Sequence, residues 1–296
     1  MVIPGANCTA SFDRVAFVDA PSFAVRVIGS REELGATRAE FLNCEFQNGR
    51  LSTVKLFNAD IRCHDNVDLI VRNCQFRNEN TGIGRAGIVH QQMQPHETPS
   101  RGSMLVDGCT FENCGYNNRH TYGAIDAYSG VDNVRIINNV VLNPLGRGIG
   151  VKADASDVVI TGNQVTGLHG EHATACIAMF GSKLERLGCR RIVANNTLQT
   201  SETGAKGILV DTSNIDDTAK GEGPLITANV IEHDGVGVLV KRTSGGMIYG
   251  NRIHGGHCGI MFDTHTDASA FDGAANTITG YRRQPVVANR QQSRAG

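Results

Sequence analysis

One short pattern runs the length of the chain: Asn or Cys, then any residue, then an apolar residue. The anchors are Cys44, Cys74, Cys109, Asn139, Asn163, Asn196, Asn229, Asn251 and Asn276. They lie 22 to 35 residues apart, which suits solenoid coils with variable loops and excludes a rigid repeat. With an earlier pair, Val15 and Phe17, the pattern predicts about ten stacked coils. Because Asn tolerates left-handed backbone, we expect the anchors to occupy a sharp bend and to stack as one inward column.

A second pattern, glycine followed by alternating apolar residues, lies between the later anchors. It reads Gly148-Ile-Gly-Val-Lys152, Gly207-Ile-Leu-Val-Asp211, Gly237-Val-Leu-Val-Lys241 and Gly259-Ile-Met-Phe-Asp263, with Cys176-Ile-Ala-Met-Phe180 as a variant. Side chains alternate between the two faces of a strand. The apolar residues are therefore predicted to point inward, and the outward positions are Gly150, Lys152, Phe180, Asp211, Lys241 and Asp263.

Composition favours short strands and tight turns over helices. Glycine accounts for 35 of 296 residues and Trp is absent, which suits many close bends. An α/β enzyme needs amphipathic helices of ~10 or more residues, and the best candidate, 182–191, is too short and contains Gly188. We expect one all-β domain over residues 1–296, either a whole protein or a fragment of a larger one.

Charge, hydrophobicity and cysteine content each limit what the chain is expected to do. Lys and Arg number 28 against 29 Asp and Glu, and without a basic run a nucleic-acid partner is not expected. No apolar stretch is long enough to span a membrane, and no signal peptide is visible at the start. The nine cysteines are odd in number and show no Cys-x-x-Cys pair, so we interpret them as buried thiols.

The order of strand, Asn bend, short strand, loop and Gly-Ile-x-Val strand resembles the pectate-lyase superfamily. The resemblance covers residues 12–288 and implies a right-handed parallel β-helix with three parallel sheets and an Asn/Cys ladder. It also implies an extracellular or virion-surface location. It does not imply one activity, because this fold carries lyases, hydrolases, epimerases, esterases and virion spikes.

By this resemblance, a polysaccharide would lie along the outer face of the Gly-Ile-x-Val sheet. The earlier strands of that sheet carry polar residues, and Ile125 and Ala127 are predicted to point inward. If His90 points outward, adjacent rungs present acid, base and phenol groups suited to proton transfer. The candidate catalytic residues are His90, Asp126, Tyr128, Lys152 and Asp154. The alternative is an ordinary solvated face of polar residues.

Long loops at 77–85, 94–101 and 112–121 are predicted to wall this stretch, as functional loops often do. The candidate substrate-binding residues are Gln92, His96, Arg119, His120, Tyr122, Arg147, Phe180 and Asp211. The segment Pro95-His96-Glu97 resembles part of a motif of the mannuronan C5-epimerases. That family's catalytic Asp and Tyr are missing, since Gln94 stands in place of Asp and Gln91 in place of Tyr.

No cofactor or metal site is certain from the sequence. Asp216, Asp217 and Glu222 share one loop and offer oxygen ligands for calcium, although a solvated turn is the commoner outcome. His169, Glu171 and His172 resemble part of a metal site but lack a further ligand.

Two functional hypotheses follow. The first is an enzyme acting on an anionic polysaccharide by lyase or C5-epimerase chemistry, with His90 or Lys152 as base, Arg147 or Lys152 neutralising the uronate carboxylate, and Tyr128 donating a proton. A hydrolase using Asp126 and Asp154 is its variant. The second is a virion tailspike or surface domain that binds glycan or supplies a rigid rod. A monomer suits the enzyme and a trimer the spike.

Overall fold

The computed structural model describes residues 1–4, 8–20, 23–29, 37–48, 59–79, 84–91, 102–116, 122–128, 131–152, 157–181, 190–212, 223–243, 245–272 and 275–288. Three sheets run through this part of the chain, and successive strands of each sheet come from successive coils. Strands pair in parallel throughout, except where Gly84 and Arg85 pair antiparallel with Tyr116 and Gly115. The predicted right-handed parallel β-helix with three parallel sheets is confirmed.

Sheet A carries the Gly-Ile-x-Val strands. Its strands are Val2–Pro4, Phe23–Ile28, Ala59–His64, Gly84–Gln91, Ile125–Ala127, Arg147–Lys152, Ala175–Phe180, Lys206–Asp211, Val236–Lys241, Cys258–Phe262 and Gln284–Ala288, with Gly115–Tyr116 beside Gly84–Gln91.

Sheets B and C complete each coil. The strands of sheet B are Cys8–Asp13, Thr37–Leu42, Val67–Arg72, Gly102–Asp107, Val131–Ile137, Asp157–Thr161, Arg190–Ala194, Leu225–Thr227, Gly246–Tyr249 and Phe271–Asp272. Those of sheet C are Ala16–Val18, Glu45–Gln47, Gln75–Arg77, Thr110–Glu112, Val140–Leu142, Gln164–Thr166, Thr197–Thr200, Val230–His233, Arg252–His254 and Thr277–Thr279. In the described ranges the helical element is the 3-10 turn Ala268–Ala270, and no helix is long and apolar enough to cross a membrane.

The nine anchors form one hydrogen-bonded column between sheets B and C. The backbone amide of Asn139 donates to Oδ1 of Asn163 at 3.0 Å, and the Nδ2 of Asn139 donates to the same oxygen at 3.0 Å. The same pattern repeats from Asn163 to Asn276, while Cys44 and Cys74 donate to the next anchor's thiol instead. The predicted column is confirmed. Its last described member, Asn276, is half-buried and the other eight are buried.

The left-handed residue of each bend is the one before the anchor, so the expectation that the anchors adopt this conformation is wrong. Asn138 has φ 55° and precedes Asn139; Gly162 has φ 68° and precedes Asn163. The left-handed residue turns the chain, and this rotation directs the next side chain into the interior. The anchor amide is selected for its inward hydrogen bonds, and the preceding position favours Asn or Gly for its backbone.

Apolar side chains fill the interior in aligned columns. Directly after the bend, Phe17, Phe46, Phe76 and Phe111 stack at centroid distances of 4.8, 4.6 and 4.5 Å. In sheet A, the predicted inward residues belong to this core, among them Ile149, Val151, Ile208 and Val210.

The glycine that begins each sheet A pattern lies where the chain passes close to the core. A Cβ on Gly207 would collide with Cγ2 of Ile231 and lie 2.7 Å from the carbonyl oxygen of Gly237. Asp60 occupies the equivalent position of an earlier strand, since Ala86 pairs with Ala59. Its carboxylate is buried 2.8 Å from Nε of Arg85, and burial raises the pKa of Asp60 to about 6.

Replacing Asn163 by Leu removes one rung of the column and leaves the amide of Asn139 without its acceptor. We expect a loss of about 1–3 kcal/mol in the free energy of unfolding, the usual cost of an unsatisfied buried group. Urea denaturation measures it. Asn133→Leu, at an exposed position of sheet B, is the matched control; equal stability of the two variants would contradict a structural role for the column.

The described cysteines are free thiols. Cys44, Cys74 and Cys109 lie on consecutive rungs, and their Sγ atoms hydrogen-bond backbone carbonyl oxygens such as those of Leu42 and Arg72. We expect thiol titration of protein denatured without reductant to find these three reduced. Recovery of a Cys44–Cys74 disulfide from the native protein would contradict the arrangement.

Candidate functional site

Polar and aromatic side chains gather on the outer face of sheet A, over its strands from Phe23–Ile28 to Ala175–Phe180. Strand register defines this face: Asp126 pairs with Val89 on one side and Gly150 on the other, whereas Ile125 and Ala127 belong to the core. We call the following set the sheet A cluster: Arg26, Arg62, His64, Gln91, Tyr122, Asp126, Tyr128, Arg147, Lys152 and Phe180.

A buried ion pair lies at the centre of the sheet A cluster. Asp126 Oδ1 is 2.9 Å from a terminal nitrogen of Arg147, and these side chains are 0% and 3% exposed. The other carboxylate oxygen accepts a hydrogen bond from the backbone amide of Gly123. Burial raises the pKa of Asp126 to about 6, against the opposing effect of Arg147. The carboxylate is thus held mainly by one guanidinium and one backbone amide.

Gly150 lies in sheet A beside Asp126, and its lack of a side chain leaves space for the ion pair. A Cβ at Gly150 would collide with Oδ1 of Asp126 and lie 2.5 Å from Nε of Arg147. The equivalent position is Ala178 on the following strand and Val89 two strands earlier. The ion pair therefore depends on a glycine in a row that otherwise carries side chains.

Two aromatic rings enclose the Arg147 guanidinium. Its central carbon lies 4.9 Å from the Phe180 ring centroid and 6.0 Å from that of Tyr128, within the range of cation–π attraction. A terminal nitrogen of Arg147 also donates to the hydroxyl of Tyr128 at 2.7 Å. Burial, followed by the charge of Asp126, raises the pKa of Tyr128, so its phenol stays protonated near neutral pH.

A second phenol and a second guanidinium lie beside the first. Tyr122 packs edge-to-face on Tyr128 with centroids 5.3 Å apart, and its hydroxyl is 3.4 Å from Oε1 of Gln91. Arg62 hydrogen-bonds Tyr122 and donates from Nε to Nε2 of His64 at 3.2 Å. Burial and the charge of Arg62 lower the pKa of His64 to about 3, so this imidazole is neutral.

Register places His90 in the interior, so the outward orientation on which its catalytic role depended is not found. His90 pairs with Cys63 and Ala127, both core residues, and its two neighbours in the strand, Val89 and Gln91, point outward. The imidazole is fully buried, with Nε2 3.3 Å from the carbonyl oxygen of Asp65, and burial lowers the pKa of His90 to about 4. The carbonyl at the bend satisfies Nε2, whereas Nδ1 is buried without a hydrogen-bond partner among the described residues.

The structure places the remaining sequence candidates as follows. Lys152 and Phe180 are paired outward neighbours, and Asp211 follows on the next strand, where its carboxylate lies 3.3 Å from Nζ of Lys241. Tyr122, Tyr128 and Arg147 belong to the cluster as described above. The following candidates lie outside the described residues: Gln92, His96, Arg119, His120, Asp154, and the calcium candidates Asp216, Asp217 and Glu222.

Sequence reasoning missed Arg26, Arg62 and His64. The strand Ala59–His64 alternates Ile61 and Cys63 inward with Arg62 and His64 outward, a period-two signal that was present in the sequence. The strand lacks the Gly-Ile-x-Val pattern, because Asp60 replaces the glycine. A search by register relative to the anchors, rather than by motif, would have found it.

A separate open pocket of about 260 Å³ lies where sheet C leads into sheet A, away from the cluster. Its lining includes Gln199, Glu232, His233, Asp234 and His254. Neither here nor elsewhere in the described ranges do three His, Cys, Asp or Glu side chains form a group able to hold a metal ion.

No protein-family model matches the chain, and no curated protein matches its sequence. Among solved structures it is similar to a point mutant of the periplasmic alginate epimerase AlgG, with 10% identity and a TM-score of 0.43 over 94% of this chain and 74% of that one. PfbA, a surface adhesin of Streptococcus pneumoniae, gives 11% identity and a TM-score of 0.34 over 93% and 82%. The Azotobacter vinelandii mannuronan C-5 epimerase AlgE4 A-module gives 12% and 0.24 over 96% and 90%.

Replacing Gly150 by Ala tests whether the Asp126–Arg147 ion pair occupies the space beside this glycine. The added methyl group forces Asp126 and Arg147 apart, and we expect a loss of about 1–3 kcal/mol in the free energy of unfolding, as for other overpacked sites. Denaturant titration measures it. Gly204→Ala is the matched control, because a Cβ there meets nothing within 4 Å. If Gly150→Ala is as stable as Gly204→Ala, the ion pair does not lie against Gly150.

Proposed function

We propose that the sheet A cluster binds an anionic, uronate-containing polysaccharide and acts on it by proton abstraction next to the carboxylate, as a lyase or C5-epimerase. The observation that carries this proposal is the Tyr128 hydroxyl, 2.7 Å from the Arg147 guanidinium, with Lys152 on the same outer face. A cation for the carboxylate, a base and a protonated phenol are the groups that this chemistry requires.

The charge of the cluster favours an anionic substrate. Its side chains include three guanidinium groups, those of Arg26, Arg62 and Arg147, against one carboxylate, that of Asp126. The chain as a whole has a formal net charge of -1, so this local excess of cations is not a general property of the surface. A uronate polymer brings the opposite charge, and guanidinium groups suit carboxylates because they donate in a planar, paired geometry.

The reaction starts at C5 of the uronate ring. A cation neutralises the carboxylate and so stabilises the charge that develops when the C5 proton leaves. With His90 inward, Lys152 remains as the base of the two that the sequence suggested, and its amine nitrogen accepts the C5 proton. In elimination the C5 electron pair forms the C4–C5 double bond, the C4–O4 bond breaks, and Tyr128 donates its proton to the leaving oxygen.

Geometry favours elimination over the other two reactions. Lys152 and Tyr128 rise from one face of one sheet, and so both address the same side of a sugar ring that lies on it. C5 epimerisation needs a proton delivered to the opposite side. The hydrolase variant needs a reactive carboxylate at Asp126, whereas this side chain is buried against Arg147.

The proposal also covers the binding partner, a polysaccharide, and the location of the protein. A polymer that lies across several rungs contacts the outward residues of successive strands, which are ~4.8 Å apart. Such substrates occur outside the cytoplasm, and we therefore propose that the protein acts there. A surface glycan-binding domain without turnover is the alternative.

A polysaccharide panel tests the activity. We expect at least one of polymannuronate, polyguluronate and polygalacturonate to yield products with the ultraviolet absorbance of an unsaturated uronate, and dextran to yield none. Deuterium incorporation at C5 without cleavage would indicate epimerase action. New reducing ends without unsaturation would indicate a hydrolase, and binding without turnover would indicate a binding domain.

Tyr128→Phe tests the proton donor. The ring keeps its packing on Tyr122 and Arg147, while the hydroxyl is lost, so we expect kcat to fall by about 10²–10⁴-fold, the usual contribution of a general acid, with little change in KM. Tyr249→Phe, an exposed tyrosine of sheet B, is the matched control. Unchanged kcat in Tyr128→Phe would remove the phenol from the mechanism.

A further inference from the structure

The carboxylate of Asp126 and the carboxylate of a bound uronate would compete for the same guanidinium. Arg147 donates to Oδ1 of Asp126 at 2.9 Å and to the Tyr128 hydroxyl at 2.7 Å. Asp126 has no exposed surface, and Arg147 keeps 3% of its side chain exposed. A substrate carboxylate that reaches Arg147 therefore adds a second negative charge to a site that water barely reaches.

The groups that face Asp126 determine whether its carboxylate stays ionised when a uronate binds. From the strand Arg147–Lys152 it faces Arg147; from its own segment it faces the Gly123 amide and the phenols of Tyr122 and Tyr128. In the same row, the neighbouring strands contribute uncharged residues, Val89 on one side and Gly150 and then Ala178 on the other.

The other charges of the cluster belong to different rows or strands. Arg62 and His64 lie on the strand Ala59–His64, two strands before Asp126 in the sheet, and Lys152 lies in the next outward row. Arg147 is therefore the cation in direct contact with Asp126. Two carboxylates that share one cation in a site of low dielectric cannot both stay ionised without a large energetic cost.

We propose that Asp126 is an exchangeable counter-ion of Arg147: when a uronate carboxylate pairs with Arg147, Asp126 takes up one proton from solvent and becomes neutral. In the free protein Asp126 positions Arg147 and balances its charge. In the complex the substrate supplies that charge, and the protonated Asp126 still accepts from Gly123. This inference rests on the proposed function and assigns Asp126 a positioning role that is coupled to binding.

Calorimetry in paired buffers tests whether Asp126 takes up a proton when a uronate binds. Tetrasaccharides of mannuronate, guluronate and galacturonate are titrated into the protein in two buffers of different ionisation enthalpy, one pH unit above the Asp126 pKa of about 6, with maltotetraose as the uncharged control. We expect uptake of close to one proton per tetrasaccharide bound. We also expect affinity to fall by about tenfold per pH unit above that pKa, as linkage to one proton requires.

Asp126→Asn removes the titrating group at nearly constant shape. We expect the variant to bind without proton uptake and with affinity independent of pH in this range, whereas Asp263→Asn, an outward carboxylate at the far end of sheet A, keeps the wild-type uptake. Should Asp126→Asn fail to fold, difference infrared spectroscopy of the wild type replaces it, and a carboxylic acid C=O band must appear on binding.

The outcomes separate the two proposals. Binding by the wild type without proton uptake overturns the exchange and leaves the proposed function standing, as does uptake that persists in Asp126→Asn. If none of the three charged tetrasaccharides binds, the proposed function fails, and the proton exchange at Asp126 fails with it.

Discussion

From Cys44 to Asn251, the backbone amide of each anchor donates to the side chain of the anchor one coil further on, and the remaining structure depends on this bond. At Asn163 the amide donates to Oδ1 of Asn196 at 2.9 Å, and Nδ2 donates to that same oxygen at 3.0 Å. Each coil is thereby fixed in register with the next at the point where the chain turns most sharply. A buried amide that lost its partner would cost about 1–3 kcal/mol, so coils cannot slip independently.

Register at the bend fixes register in every sheet. Because successive coils are aligned at the anchors, residues at equivalent positions stack in rows, as in the phenylalanine column from Phe17 to Phe111. The same alignment acts on the outer face of sheet A, where it places Asp126 beside Gly150. The interior column therefore positions the groups of the site, although it touches none of them.

The outer face of sheet A differs from the regular repeat where it buries the charges of Asp126 and Arg147. A slipped register would bring Asp126 against a side chain instead of Gly150, and the ion pair with Arg147 would not fit. Burying such a pair has a desolvation cost that its mutual attraction only partly offsets. A chain selected for stability alone would place apolar residues here, as it does further along the same face at Leu209 and Leu239.

The sequence by itself determined the solenoid, because its signal is repetitive: every coil repeats the anchor, and inward residues such as Ile149 follow from alternation. It also located Asp126, Tyr128 and Lys152 on one face. Two things required the tertiary structure. His90 faces inward because the strand register relative to Cys63 and Ala127 decides its side. The pairing of Asp126 with Arg147 joins residues on neighbouring coils, and only the stacking of those coils brings a carboxylate, a guanidinium and a glycine together at one point.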